Sequence, residues 1–305
     1  MKIYEIILLR VTLFGHGPQG KSKTQKRRFQ TEWREVKQII VFEMDQQGRM
    51  IKGTEPILDG TFLGPDEIME VLAMRLHQVG ASQAEVVAFR CDGAPWIWDR
   101  LDWVKKRLEL SDKQVSKGLD WCHAVHHVSL ALEPVLEGAE RKRVFKKLRK
   151  WLKGGRWQKV VDELVQLATA AQLPADASVW TAIAYLARHG EEGHLAYASY
   201  RRRGLPLGSG AIESAIRRVI NLRLKGNSIF WEEGNAEAML QLRGLVLSGR
   251  WNNTFPKIVA SWAADRRLDW HWQSPDMPGE MKATAATPPP TPQPQTGQAS
   301  CNAAA

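Results

Sequence analysis

Cysteine is scarce in this chain: Cys91, Cys122 and Cys301 are the three among 305 residues. They are too few and too scattered for a disulfide framework, so a reducing compartment is the simpler setting. Long apolar runs are missing too. Near the start, Ile6-Ile7-Leu8-Leu9 is interrupted by Glu5 and Arg10, and no small-residue cleavage site follows. That makes a poor secretory signal and a stretch too short to span a membrane. Nothing elsewhere approaches about eighteen consecutive apolar residues, which argues against a membrane protein. No internal repeat is present. Acid is in deficit, with 33 Asp and Glu against 43 Lys and Arg, a net charge of +10 and a pI near 9.6. A polyanionic partner is expected, with nucleic acid first.

The chain is rich enough in apolar residues, at 44%, to bury a core unaided. Val36 to Glu43 is rich in β-branched residues and runs into a polar cluster holding Gly48, which predicts a hairpin returning over Met50 to Thr54. Gly64-Pro65-Asp66-Glu67 opens a helix that Gly80 ends. Val86 to Phe89 reads as a strand buried on both faces, with a helix from Ala94 to Leu110 after it. Val115 to Leu119 is a further strand, leading into a helix from Trp121. This rhythm predicts an α/β core with some parallel pairing. From about Glu140 to His189 helix formers dominate. Gly204 to Gly210 breaks the helices, and two more follow, from Ala211 to Leu224 and from Glu232 to Leu247. The Pro-, Thr- and Gln-rich tail after Trp272 is expected to be disordered. Of the 13 tryptophans, Trp180 and Trp262 lie in apolar settings and are expected in the core.

Three basic clusters stand out. Arg141 to Lys153 holds eight basic residues and no acid: Arg141, Lys142, Arg143, Lys146, Lys147, Arg149, Lys150 and Lys153. Phe145, Leu148, Trp151 and Leu152 form an apolar seam on that helix, leaving the rest as a cationic stripe suited to a phosphate backbone. Arg201-Arg202-Arg203 is a second cluster, and Arg217, Arg218, Arg223 and Lys225 form a third. A solvated helix face explains any one of these; three together favour DNA.

Phosphoryl transfer on DNA needs an activated oxygen nucleophile and a stabilised leaving oxygen, which two divalent ions about 3.5–4 Å apart can supply. Carboxylates at strand ends are the residues to look for. Asp92 follows a buried strand, although it could equally cap the helix at 94. Glu213 lies near the start of a helix, where an ordinary ion pair with Arg217 is the plainer reading. Asp120 is read as capping its helix and orienting His123. His123 and His127 stand at i, i+4, a spacing that can hold zinc, but no metalloprotease motif accompanies them.

Three strings are more specific. They are Asp92-Gly-Ala-Pro-Trp-Ile-Trp98, Asp120-Trp-Cys-His-Ala-Val125, and the run from Leu205 through Gly208-Ser-Gly-Ala-Ile-Glu213 to Lys225. Phe230-Trp231 and Asn235-Ala-Glu-Ala-Met239 continue the pattern. Over about Lys21 to Trp251 the chain resembles bacterial insertion-sequence DDE transposases of the ISKra group. The resemblance implies an RNase H-like mixed sheet with an all-helical insertion between the second Asp and the Glu. It also implies metal-dependent strand cleavage and transfer with Mg2+ or Mn2+, acting on element ends and target DNA as a homo-oligomer, in the nucleoid-associated cytoplasm. Asp92 matches the second Asp and Glu213 the Glu, both as metal ligands, with Asp120-x-x-His123 as the accompanying signature. The phosphate contacts would be Arg141, Lys142, Arg143, Lys146, Lys147, Lys150, Arg201, Arg202, Arg203, Arg217 and Arg218.

The departure is the first Asp. Its strand should precede the basic loop at 21–28, yet no Asp occurs before Asp45. The expectation is a front end cut away or frame-shifted, and impaired chemistry. The alternative is an inert DNA-binding remnant. The expected organisation is a first core part over 1–137, a helical insertion over 138–203, closing helices with the Glu over 204–272, and a tail over 273–305.

Overall fold

The computed structural model describes residues 3–13 and 265–269 as backbone, and residues 34–208, 210–225 and 231–264 with their side chains. The basic loop at 21–28 and the tail after 272 lie outside the described residues. The fold is mixed α/β. Five strands form one sheet: β1 (Ile3–Leu13), β2 (Arg34–Met44), β3 (Ile57–Thr61), β4 (Val86–Cys91) and β5 (Val115–Leu119). Their order is β3-β2-β1-β4-β5. β1 pairs antiparallel with β2, and β2 with β3, whereas β1–β4 and β4–β5 are parallel.

The hairpin is displaced from its expected place. Gly48 does turn the chain, at φ +72°, and the Asp45 carboxylate accepts from the backbone N–H groups of Gln47 and Arg49 at 2.9 Å. Beyond the turn, Met50 makes one isolated bridge to Met44, and ladder pairing resumes at β3. The physical reason is the composition of Lys52-Gly53-Thr54-Glu55-Pro56. Gly53 sits at φ +86° and Pro56 has no N–H to donate, so this stretch cannot continue a ladder.

The sheet is covered on both faces, and alternation along its strands assigns the covers. Ile39 and Val41 of β2, with Val87, Phe89 and Cys91 of β4, pack against α1 (Pro65–Gln78) and α2 (Pro95–Arg107). Ile40 and Phe42, with Val86 and Ala88, pack on the opposite side. There they share a core with α3 (Trp121–Leu132), α4 (Gly138–Lys153), α5 (Trp157–Ala170), α6 (Ser178–Glu191), α7 (Tyr197–Arg202), α8 (Gly210–Ile216) and α9 (Glu233–Leu247). The helical stretch after β5 therefore shares a continuous core with the sheet.

Two helical details differ from expectation. α8 passes into a π-helical turn, Arg217–Asn221, closed by Leu222 N–H donating to Arg217 O at 3.0 Å. Ile212, Ala215, Val219 and Ile220 are buried along this stretch, the i, i+3, i+7, i+8 stripe of a helix packed on one face. On α4 the buried positions are Val144, Leu148 and Leu152, with Phe145 and Trp151 half-buried. Cations cover those two rings: Lys147 lies 4.6 Å from Trp151 and Arg149 lies 5.5 Å from Phe145.

The chain divides into two compact units, residues 1–257 and 258–305. α10 (Trp251–Asp269) runs across the division. Trp262 is 56% exposed and is not the core residue that its apolar neighbours suggested, whereas Trp180 is half-buried and packs against the core. Among the described residues, no helix is long and apolar enough to cross a membrane.

Candidate functional site

β4 and β5 are adjacent, parallel and each followed at once by an aspartate. Asp92 is 6% exposed and Asp120 fully buried. The backbone N–H of Asp120 donates to Cys91 O at 2.8 Å, which holds the two strand ends side by side. Such carboxyl ends are where open sheets with parallel strands gather their chemistry. Asp92 Oδ1 accepts from Ala94 N–H at 2.9 Å, so the plainer structural role is real for that one oxygen. Asp120 caps α3: its Oδ2 accepts from His123 N–H at 3.1 Å and meets His123 Nδ1 at 2.9 Å. The expected cap and orienting contact are both present.

The third carboxylate arrives on a loop that a buried cation holds down. Arg90, fully buried, donates to Pro206 O at 2.7 Å and to Ser116 O at 3.0 Å, and lies 4.3 Å from the Tyr200 ring. Trp121 N–H donates to Leu207 O at 3.0 Å. Gly208 then passes so close that an added Cβ would stand 2.9 Å from Trp121 Cβ and 3.3 Å from Asp120 Oδ1. This loop delivers α8, whose first turn carries the exposed Glu213. Glu213 does not pair with Arg217 among the described residues; its charge falls on α3 instead.

Titration behaviour reports that neighbourhood. Burial, then the charges of Asp120 and Glu213 and a hydrogen bond to Glu213, push the Cys122 thiol up to about 12, while Arg149 opposes them. For His123, burial works downward but is outweighed by the Asp120 hydrogen bond and the charges of Asp120, Asp92 and Glu213, so its pKa is raised. The charges of Asp92, Asp120 and Glu213 thus all reach His123. These residues do not close into a tight ligand set. Among the described residues, the three-membered group whose ligand atoms fall within 4.8 Å of one another is His189, Glu192 and His194.

The fourth wall is aromatic. Tyr185 of α6 packs on Gly93 so tightly that a Cβ there would lie 2.0 Å from its hydroxyl. A side chain at 93 would require the Tyr185 ring to move. Burial first, then Asp92, pushes the Tyr185 phenol well above its ordinary range. His127 stacks on Tyr185 at 3.6 Å, so the i, i+4 pair His123 and His127 is divided between Asp120 and Tyr185.

The basic clusters separate. On α4, Lys142, Arg143, Lys146, Lys147, Arg149, Lys150 and Lys153 are exposed, with Lys147 paired to Glu163 at 2.8 Å and Arg143 to Glu140 at 3.3 Å. Arg141 is half-buried and donates to Ser129 O and Oγ at 3.3 and 3.2 Å, a packing role. Arg149 is the member that reaches the carboxylate end, through its effect on Cys122. Arg201, Arg202 and Arg203 are exposed at the end of α7, and Arg217 and Arg218 are exposed on the π turn.

On β1 the last residue paired with β4 is Leu8, opposite Cys91. One step further along both strands stand Leu9 and Asp92. The sheet position beside Asp92 on the central strand therefore carries no carboxylate. Sequence reasoning missed Arg90, Tyr185 and the His189, Glu192, His194 trio. For the trio a signal was present, in the string His189-Gly-Glu-Glu-Gly-His194. No family model, curated protein or solved structure matches the chain.

Proposed function

We propose that this chain is a DNA-acting protein of insertion-sequence transposase type, on an RNase H-like core, with impaired strand cleavage and transfer. The observation that carries the reading is the convergence of Asp92, Asp120 and Glu213 on His123 at the carboxyl end of the parallel strands, with Arg149 of the cationic α4 within charge reach of the neighbouring Cys122. The strand order, three antiparallel strands followed by two parallel ones, agrees with such a core.

Asp92 and Glu213 offer the hard carboxylate oxygens that Mg2+ or Mn2+ prefers. Bound there, the ion would activate a water and stabilise the leaving oxygen. Two carboxylates without a partner from β1 do not make a two-ion site, and Leu9 occupies the position where a third would stand. The chain's own residues supply binding: Lys142, Lys146 and Lys150 of α4 with Arg201, Arg202, Arg203, Arg217 and Arg218 would neutralise phosphates of element ends and target DNA. Assembly as a homo-oligomer on nucleoid DNA belongs to the same reading. The second reading, an inert DNA-binding remnant, is favoured by Leu9.

Filter binding over a range of salt, with supercoiled plasmid cleavage in Mg2+ and Mn2+, tests both. Affinity should fall steeply with salt, and the unaltered chain should not nick the plasmid. Leu9→Asp should raise metal-dependent nicking, and Asp92→Ala in that background should abolish it. Nicking by the unaltered chain that Asp92→Ala removes would overturn the impairment. Salt-independent or absent DNA binding would sink the whole reading. Failure of Leu9→Asp to nick leaves the remnant as the better account.

A further inference from the structure

The last turn of α6 ends in a Schellman motif. His194 N–H donates to His189 O at 2.9 Å and Gly193 N–H to Gly190 O at 3.1 Å, with Gly193 at φ +78°. In that motif the residue after the glycine folds back on the residue three before the helix cap, and the pair is usually apolar. Here both are histidines. Their Nδ1 atoms lie 3.1 Å apart. Glu192 Oε2 lies 3.4 Å from His189 Nδ1 and 3.2 Å from His194 Nδ1. Three donor atoms of two chemical types thus face one point, and their positions follow from the backbone turn.

We propose that His189, Glu192 and His194 bind a divalent transition ion, zinc before others, independently of the DNA reading. Tetrahedral zinc with bonds of about 2.0–2.2 Å to nitrogen and oxygen sets its ligand atoms about 3.3–3.5 Å apart. The three separations lie within a few tenths of an ångström of that. Two imidazoles and one carboxylate suit zinc and disfavour Mg2+ or Ca2+, which take oxygen ligands. Both rings are held: His194 stacks on Trp98 at 3.9 Å, and His189 meets the Tyr185 ring at 4.6 Å. Both histidines are buried. Glu192, whose side chain is 44% exposed, leaves the fourth position towards water.

The proton count closes. Arg188 Nη2 lies 3.2 Å from His189 Nε2 and can only donate, so in the metal-free molecule the His189 proton sits on Nδ1, shared with His194 and Glu192. Metal on Nδ1 moves that proton to Nε2 through solvent, and Arg188 turns away, keeping its contact with Gly93 O at 3.4 Å. His194 accepts at Nδ1 already and needs no change. The ion would brace the backbone next to Asp120, because His194 O accepts from Leu119 N–H at 3.0 Å.

The test uses the full chain stripped of metal with a chelating resin. Co2+ titration should give one equivalent with the strong visible bands of a four-coordinate ion, and Zn2+ should displace it stoichiometrically. Zinc should also raise the thermal midpoint. His194→Ala and Glu192→Gln, their folding checked by circular dichroism, should weaken binding by more than the about 100-fold that loss of an outer partner can cost. His126→Ala, at an exposed position, should bind as the unaltered chain does. Absence of the bands in the unaltered chain overturns the proposal even if a variant misfolds. So does binding that His194→Ala and Glu192→Gln leave intact.

Discussion

Asp120 is the residue on which most of the site depends. It caps α3, bonds the backbone of Cys91 and the ring of His123, and lies under Gly208. Asp120→Asn keeps the shape and removes the charge that helps hold the His123 pKa up. The His123 titration followed by NMR should therefore move to lower pH. Asn caps a helix about as well as Asp, so the loss in urea unfolding should be the about 1 kcal/mol of the weakened bond to the His123 ring. A raised His123 pKa in the variant would mean that another group governs the ring. The role of Asp120 as cap was legible from Asp120-x-x-His123, because capping is local. Its burial beside Cys91 was not, since that depends on β4 and β5 being neighbours.

At the scale of elements, Arg90 ties the sheet to the loop that presents Glu213. Truncation leaves the carbonyls of Pro206 and Ser116 unpaired and a cavity against Tyr200, so Arg90→Ala should destabilise the fold by about 3–5 kcal/mol in chemical denaturation. A loss under about 1 kcal/mol would mean that the loop is anchored elsewhere. α4 makes a separate prediction. Lys146 and Lys150 lie one helical turn apart on its exposed face. Replacing both by Ala should lower the salt slope of DNA binding by about two phosphate equivalents while leaving the thermal midpoint nearly unchanged. An unaltered slope would place the phosphates elsewhere. The helix and its cationic stripe were legible from spacing. That Arg141 turns inward to Ser129, and that Arg149 reaches the carboxylate end, depends on how α4 rotates against α3.

For the whole molecule, three histidines, the buried His189 and His194 and the half-buried His127, set the response to acid. Burial lowers His189 to about 3 and His127 and His194 to about 4, from an ordinary 6.5. Their folded pKa values lie below the unfolded ones, so the unfolded chain binds more protons in this range. Their stabilising contribution is complete above about pH 6.5 and is lost as the pH falls towards 4. In excess chelator, urea midpoints should drop steadily across that window. A flat profile between pH 6.5 and 4 would contradict neutral burial of the three rings.

The sequence by itself determined the local elements. The β-branched run of β2, the continuous apolar run of β4, Pro65 at a helix start, and the β5 run are written in neighbouring residues, and the structure follows them within a few positions. It also determined the charge and the candidate carboxylates. Tertiary structure alone decided that Leu9 is the residue in line with Asp92. It likewise decided that Tyr185 closes over Gly93, and that the histidines at 123 and 127 take separate partners. These are contacts between segments far apart along the chain, and their register depends on how a twisted sheet meets its covering helices. The His189, Glu192, His194 trio lies between the two cases. Its six residues are contiguous, yet the left-handed Gly193 turn is what folds one ring onto the other.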